Sequence, residues 1–241
     1  MKFNMNENIK DKIQEIINFE KNKTREKTRE KEIEIYDEVV KNVEEIFTSS
    51  DYDTSNLDKG EDEIIKTEKM TVTLTTTQNQ KNNSNFNMTS IDLGECEILL
   101  RNFYDISNDE LLYIKKIDVM QEGMKIPKVE YDIYSKLNGS NLIKLNISIC
   151  QNSTISLAIP VEISDNLDKL HTSSAYYNDI CYSSKSDSGT DILLNDRKKE
   201  FVEGNKTVCQ DDCNFSEYNK DLKQANCSCQ VKESFLIHML I

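Results

Sequence analysis

The sequence predicts an α+β fold, in which an N-terminal helical arm precedes a disulfide-bonded, mostly antiparallel β domain of the sandwich type. Apolar residues recur at helical spacing within residues 1–50, whereas from Met70 onward they alternate with polar residues as in a half-buried strand. The seven cysteines all follow residue 95, so the two parts of the chain also differ in chemistry.

The arm, residues 1–50, is predicted to be a charged amphipathic helix. Its first apolar face consists of four isoleucines at helical spacing, Ile9, Ile13, Ile16 and Ile17. A charged stretch with a repeated Thr-Arg-Glu-Lys sequence follows, and a second apolar stripe runs from Tyr36 to Phe47. The charged stretch is typical of a solvated helix surface with i,i+4 ion pairs, and a coiled-coil arm is the alternative. Residues 51–68 are polar and acidic, which predicts a linker.

The β-rich region is predicted to cover residues 69–233, and a short truncated tail follows at 234–241. Alternating apolar residues predict strands at 70–75, 111–120, 129–135, 142–149, 154–163 and 227–231. Short helices are predicted at 94–104 and 193–202, and an Asn- and Ser-rich loop at 78–90. The pair Asn138-Gly139 predicts a turn between two strands.

The net charge of −13 argues against nucleic-acid binding, because phosphate backbones repel an acidic chain that has no compensating basic stripe. No segment reaches the roughly 18 to 20 apolar residues needed to span a bilayer. Residues 1–17 also lack the continuous apolar region of a signal peptide. Because the cysteines and glycosylation sequons nevertheless favour the secretory pathway, we expect a fragment of a longer chain, which contacts the membrane only through segments outside it.

The cysteines favour a disulfide framework over scattered buried thiols, because they are confined to one region. The odd count leaves one of them without a partner in the chain. We expect Cys227 and Cys229 to leave the final strand on opposite faces and to pair with separate upstream cysteines, of which Cys209 and Cys213 are the nearest. The complete set of disulfide candidates is Cys96, Cys150, Cys181, Cys209, Cys213, Cys227 and Cys229.

Zinc binding and reduced thiols are the alternatives for the same cysteines. Cys209-x3-Cys213 followed by Cys227-x-Cys229 places four sulfurs in a short span. Zinc ribbons and fingers favour a Cys-x2-Cys spacing, which this stretch lacks. We therefore predict no metal site and no cofactor.

Nine Asn-x-Ser/Thr sequons occur, of which one begins at Asn22 and eight lie in the cysteine-bearing region. The eight glycosylation candidates are Asn82, Asn87, Asn138, Asn146, Asn152, Asn205, Asn214 and Asn226. Random placement of the same residues would give about three sequons there, so the excess predicts an N-glycosylated surface. Asn226 directly precedes Cys227, and disulfide formation is expected to interfere with its glycosylation.

The segments 208–213 (Val-Cys-Gln-Asp-Asp-Cys) and 225–229 (Ala-Asn-Cys-Ser-Cys) resemble the cysteine layout of a GPS motif. This motif forms the last strands of the GAIN domain, which precedes the membrane in adhesion receptors and polycystin-like proteins. The resemblance implies helices followed by a β-sandwich, and crossed disulfides Cys209–Cys227 and Cys213–Cys229. The family's Trp between the cysteines is absent, and Val231 stands where self-cleavage requires a His to activate Ser234. Self-cleavage is therefore not expected.

Two patterns contain catalytic residue types. Asp187-Ser188-Gly189-Thr190 matches an aspartic protease signature, but those enzymes need a second carboxylate and a preceding apolar strand. We predict a polar turn at this position instead. A cysteine hydrolase would have to use His171 as the base and Cys150 or Cys181 as the nucleophile, and neither cysteine lies in a nucleophile motif. We therefore predict that the chain has no catalytic residues and is not an enzyme.

The sequence thus predicts a non-enzymatic extracellular module of a membrane-anchored cell-surface protein, with an adhesion, receptor or structural role. The segments Asp92–Cys96 and Tyr177–Cys181 are similar to cysteine-containing modules of large surface proteins of protists. The expected partner is a protein or glycan at the cell surface. The alternative is an intracellular coiled-coil interaction protein with reduced cysteines, whose function would reside in the N-terminal helices.

Overall fold

A computed structural model describes residues 29–67, 69–82, 86–120, 126–137, 139–163, 167–170, 173–186, 188–203, 208–210 and 213–231. The helices in these ranges are α1 (Arg29–Phe47), α2 (Ser55–Asp58), α3 (Thr77–Lys81), α4 (Glu95–Tyr104), α5 (Ala175–Asn178) and α6 (Leu194–Glu203). Two 3₁₀ turns lie at Ile147–Cys150 and Leu167–Leu170. The part of the predicted arm that precedes Arg29 is outside the described residues.

The strands form two antiparallel sheets. They are β1 (Glu63–Lys66), β2 (Met70–Thr76), β3 (Ser90–Asp92), β4 (Tyr113–Met120), β5 (Pro127–Ser135), β6 (Ile143–Lys144), β7 (Thr154–Pro160), β8 (Cys213–Asn219) and β9 (Gln224–Gln230). The five-stranded sheet has the order β1-β2-β4-β5-β6, and the four-stranded sheet has the order β3-β7-β9-β8. The predicted α+β fold with mostly antiparallel sheets is therefore confirmed.

A hydrophobic core lies between the two sheets. Because side chains alternate along a strand, Ile114 and Ile133 of the five-stranded sheet point toward the second sheet, where they join Leu157 and Ala225 in one cluster. All four side chains are at most 1% exposed. Complete burial of an aliphatic side chain contributes about 1.5 to 3 kcal/mol, so this cluster is a major source of stability.

Helix α1 covers the opposite face of the five-stranded sheet. Tyr36, Val39, Val43 and Phe47 follow the spacing of one helix face and are all buried against this sheet. The ring of Phe47 packs edge-to-face against Tyr134, with centroids 5.1 Å apart. The molecule is thus layered as helix, five-stranded sheet and four-stranded sheet, and the predicted arm packs onto the β domain between Tyr36 and Phe47.

Four charged side chains, which we call the ion-pair cluster, lie between α1 and the sheet. Lys115 Nζ, which is 1% exposed, contacts Glu44 Oε2 at 2.5 Å and Asp132 Oδ2 at 2.9 Å. Lys144 Nζ contacts the second oxygen of each carboxylate, at 3.5 Å for Glu44 and 2.8 Å for Asp132. The two carboxylates and two ammonium groups therefore alternate, so that Lys115 is buried with neutralising partners.

Several local predictions require correction. Residues 51–68 are not a linker, because they contain α2 and the edge strand β1, which pairs with β2. The predicted loop at 78–90 overlaps α3, whose first turn is capped by the Thr76 side chain. The predicted strand at 142–149 is limited to the two residues of β6 and then becomes a 3₁₀ turn. Strands β3 and β8 were not predicted.

Candidate functional site

The disulfide Cys96–Cys150 joins the first turn of α4 to the 3₁₀ turn before β7. Both cysteines are completely buried and belong to the core between the sheets. The bridge spans 54 residues of sequence and holds α4 against the end of the four-stranded sheet.

Two further disulfides, Cys209–Cys227 and Cys213–Cys229, lie at the β8–β9 hairpin. These are the pairings that the GPS resemblance implies. The expectation that Cys227 and Cys229 point to opposite faces was wrong, because residues two apart on a strand share a face. Both side chains are buried on the inner face of β9, and they differ in partner because Cys213 is the cross-strand neighbour of Cys229, whereas Cys209 precedes β8.

The disulfides exclude zinc binding by these four cysteines, because their sulfurs are already bonded to one another. Within the described ranges, no group of three or more His, Cys, Asp or Glu side chains is arranged to hold a metal ion. Cys181 is the seventh cysteine, and it is a free and exposed thiol. Three disulfides in one domain are typical of proteins that fold in an oxidising compartment.

The sequon asparagines are mostly at the surface. Five of them have exposed side chains: Asn82, Asn87, Asn146, Asn152 and Asn214. Asn226 differs, since it is half-buried and its amide nitrogen donates a hydrogen bond of 2.9 Å to Glu217. Asn138 and Asn205, like Asn22, lie outside the described residues.

The outer face of the four-stranded sheet carries small polar side chains. Ser156, Ser228 and Asn214 occupy one register row across β7, β9 and β8, and Asn226 lies in the next row on β9. Asn214 is also on β8, which is an edge strand. Exposed strand edges promote unwanted pairing between chains, and a glycan on such a strand would obstruct it.

A buried carboxylate anchors the segment that leads to Asn82. Glu97 of α4 accepts hydrogen bonds from Lys81 at 2.8 Å, from Arg101 at 2.8 Å and from Thr77 at 3.3 Å. Burial alone would raise the pKa of Glu97, but its bonds to the Lys81 and Arg101 cations lower the pKa below the ordinary value of 4.5. Helix α3 is thereby fastened to α4, and Asn82 follows directly after it.

Among the residues that the structure describes, those that suggested catalysis are not assembled into a site. Cys150 is in a disulfide and has no thiol to act as a nucleophile. Ser188 and Thr190 are exposed, and both hydroxyls hydrogen-bond to Ser186, which forms a tight polar turn around Gly189. Asp187 and His171 lie outside the described residues. Val231, at the position of the base in a self-cleaving GPS motif, is buried and apolar.

Compared with protein-family models, with curated proteins and with solved structures, the chain gives no match. In the described part of the chain, none of the helices is both long enough and apolar enough to cross a bilayer. The disulfides, the sequons and the surface of the molecule itself therefore carry the information on function.

Proposed function

We propose that this chain is a non-enzymatic, N-glycosylated module of the extracellular part of a larger membrane-anchored cell-surface protein. One observation carries the proposal: six of the seven cysteines form disulfides in the same domain that exposes five sequon asparagines. Disulfide formation and N-glycosylation both belong to the secretory pathway. Their coincidence supports that compartment more strongly than either feature alone.

In the proposed mechanism, the module presents its loops to a binding partner and catalyses no reaction. The two sheets and three disulfides hold a scaffold whose loops face the surroundings, and glycans limit which faces another protein can contact. Asn214 would carry a glycan on the outer face of the four-stranded sheet, whereas Asn146 and Asn152 flank the 3₁₀ turn before β7. Surfaces without sequons would then remain available to a protein or glycan partner.

A GAIN-type relationship is part of the proposal. It is supported by the order of a helical segment before β-sheets and by the crossed disulfides at the last hairpin. We propose a version without self-cleavage, because Val231 cannot act as a base.

The intracellular coiled-coil alternative is less well supported. A coiled-coil arm needs an apolar stripe that is available to a partner helix. Between Tyr36 and Phe47 that stripe is buried against the five-stranded sheet. The disulfides also conflict with the reduced thiols that this alternative requires.

The proposal predicts the covalent state of the chain when it is secreted from eukaryotic cells behind an added signal peptide. We expect intact-mass spectrometry to show an excess that N-glycosidase removes. Before reduction we expect one cysteine, Cys181, to react with iodoacetamide, because the other six are in disulfides. After denaturation and reduction all seven should react. An unglycosylated product with seven reactive thiols would refute the proposal and favour the intracellular alternative.

Two neighbouring sequons provide a sharper prediction. We expect Asn214→Gln to remove the mass of one glycan, because Asn214 is exposed on an edge strand. We expect Asn226→Gln to leave the mass excess unchanged, because Asn226 is half-buried and directly precedes a disulfide-bonded cysteine. Site occupancy is measured by glycopeptide mass spectrometry. Full occupancy of Asn226 would show that disulfide formation does not compete with glycan transfer at this site.

A further inference from the structure

A pocket of about 480 Å³ opens beside the β1 edge of the five-stranded sheet. Its walls come from the turn after α2, from β1 and β2, from α3 and from Met88-Thr89, and nine of its fourteen lining residues are polar. Its volume is within the range of roughly 300 to 1,000 Å³ that is usual for small-molecule sites. Its polarity is higher than in such sites, which are mostly apolar.

The walls of the pocket are held in place by hydrogen bonds between side chains. Asn79 of α3 donates to Asp62 Oδ1 at 3.0 Å and to the Leu57 carbonyl at 3.4 Å. Thr75 donates to the same oxygen of Asp62 at 2.6 Å. Helix α3, strand β2 and the turn after α2 are therefore fixed relative to one another without a ligand, so binding would cost little ordering of the site.

Two of the residues that line the pocket are buried threonines, Thr73 and Thr89. Thr73 is 1% exposed, and within the described structure its hydroxyl has no hydrogen-bond partner. Thr89 is bound by the buried ion pair behind it, since it donates to Asp118 and accepts from Lys116. A buried hydroxyl without a partner is unfavourable, and a hydroxyl-bearing ligand would remove that cost.

The charges of the pocket define the kind of ligand that it suits. Its ionisable lining residues are Asp58, Lys59 and Asp62, so a phosphate or carboxylate ligand would meet two carboxylates and one ammonium group. An apolar ligand would cover the exposed Gln78 amide without offering it a hydrogen bond. Hydroxyl groups both donate and accept, as this amide and the carboxylates require.

We propose that this pocket binds a neutral saccharide unit, whose hydroxyls bond to the polar walls and whose C–H face packs on the half-exposed Ile64. Asn82 lines the pocket and begins a sequon. The sugar can therefore come from the glycan on Asn82 of this chain or from a separate glycan. The first source rests on the proposed function, because it requires glycosylation, whereas the second does not.

The experiment separates the two sources with Ser84→Ala, which removes the sequon but keeps Asn82. In one arm, this variant is titrated with methyl α-mannoside, methyl β-N-acetylglucosaminide and methyl β-galactoside, with glucose 6-phosphate as the anionic probe. Backbone amide shifts of Asn79 and Thr89 in ¹H–¹⁵N spectra report occupancy. In the other arm, spectra of the glycosylated chain and of Ser84→Ala are compared without added sugar.

We expect saturable shifts of these amides in the titration, or a difference in their positions between the glycosylated chain and Ser84→Ala in the other arm. Gln78→Trp, which places a large ring at the exposed rim, should abolish the sugar-dependent shifts, and Thr73→Val should weaken binding roughly fivefold. Lys220→Trp, in the β8–β9 turn outside the pocket, is the matched control and should bind normally. The proposal is overturned if neither arm shows shifts, if glucose 6-phosphate binds as tightly as the neutral sugars, or if both pocket variants bind like the unsubstituted chain. The first arm tests the pocket even when the chain carries no glycans.

Discussion

Replacement of both Cys96 and Cys150 by alanine is expected to lower the free energy of unfolding by about 4 kcal/mol. This disulfide closes the longest loop of the three, with a sequence separation of 54 against 18 and 16 for the others. In the chain-entropy model, a cross-link stabilises the fold by restricting the unfolded chain, and the effect grows with the logarithm of the loop length. A loss of about 4 kcal/mol is a large share of the 5 to 15 kcal/mol that is typical of a folded domain.

The free energy of unfolding is measured by urea denaturation of protein purified from an oxidising compartment. The dependence of this free energy on urea concentration is compared between variants, because a change in it would indicate a change in the unfolded state. The matched control is Cys213→Ala/Cys229→Ala, which opens a loop of 16 residues and is expected to cost about 3 kcal/mol. Cys181→Ala should change the unfolding free energy little, because this cysteine is exposed and unbonded. An equal or smaller loss for the Cys96/Cys150 variant than for the hairpin variant would contradict the loop-length argument.

The sequence predicts those elements whose signal is local. Met70, Val72 and Leu74 alternate with threonines, and the same three side chains are buried together under α1. The confinement of all cysteines to one region likewise predicted a disulfide framework, which the three disulfides confirm.

The elements that were missed depend on contacts between distant segments. Strand β1 contains one buried residue, Ile65, in an acidic surrounding sequence that resembles a linker. It becomes a strand because β2 provides its hydrogen-bonding partners, a tertiary effect that outweighs its composition. The partner of Cys96 could not be inferred for the same reason, since α4 and the 3₁₀ turn meet only in the folded chain.

The saccharide pocket has no counterpart in any sequence motif. Thr73, Asn79 and Thr89 come from β2, α3 and the segment before β3, which meet at the pocket only in the folded chain. Each residue is ordinary in its own segment: a strand threonine, a helix asparagine and the last residue of a sequon. The pocket, and the buried hydroxyl of Thr73 without a hydrogen-bond partner in the described structure, can be identified only from the three-dimensional fold.

Substitution of Lys115 by methionine is expected to destabilise the fold by about 3 kcal/mol, because it removes the buried ammonium group that lies 2.9 Å from the buried Asp132 carboxylate. The cost arises from the unbalanced charge more than from the lost attraction. The double variant Lys115→Met/Asp132→Leu should therefore recover most of the lost stability while leaving the Glu44–Lys144 contact in place. Lys41→Met is the control, since its pair with Glu45 on α1 is 3.9 Å long and highly exposed and should contribute less than about 1 kcal/mol.

Lys115→Met should also change how the free energy of unfolding depends on pH. Burial alone raises the pKa of Asp132, but Lys115 and Lys144 outweigh this effect and lower the pKa below its ordinary value of 3.8. A carboxyl with a lowered pKa in the folded state stabilises the fold above pH 3.8, and this contribution is lost as the pH falls through the lower, folded-state pKa. Without Lys115, the pKa of Asp132 rises, so the stabilisation should be smaller at neutral pH and disappear at a higher pH. Urea unfolding between about pH 2 and pH 7 measures both effects, and parallel profiles for Lys115→Met and the unsubstituted chain would show that Asp132 does not depend on Lys115.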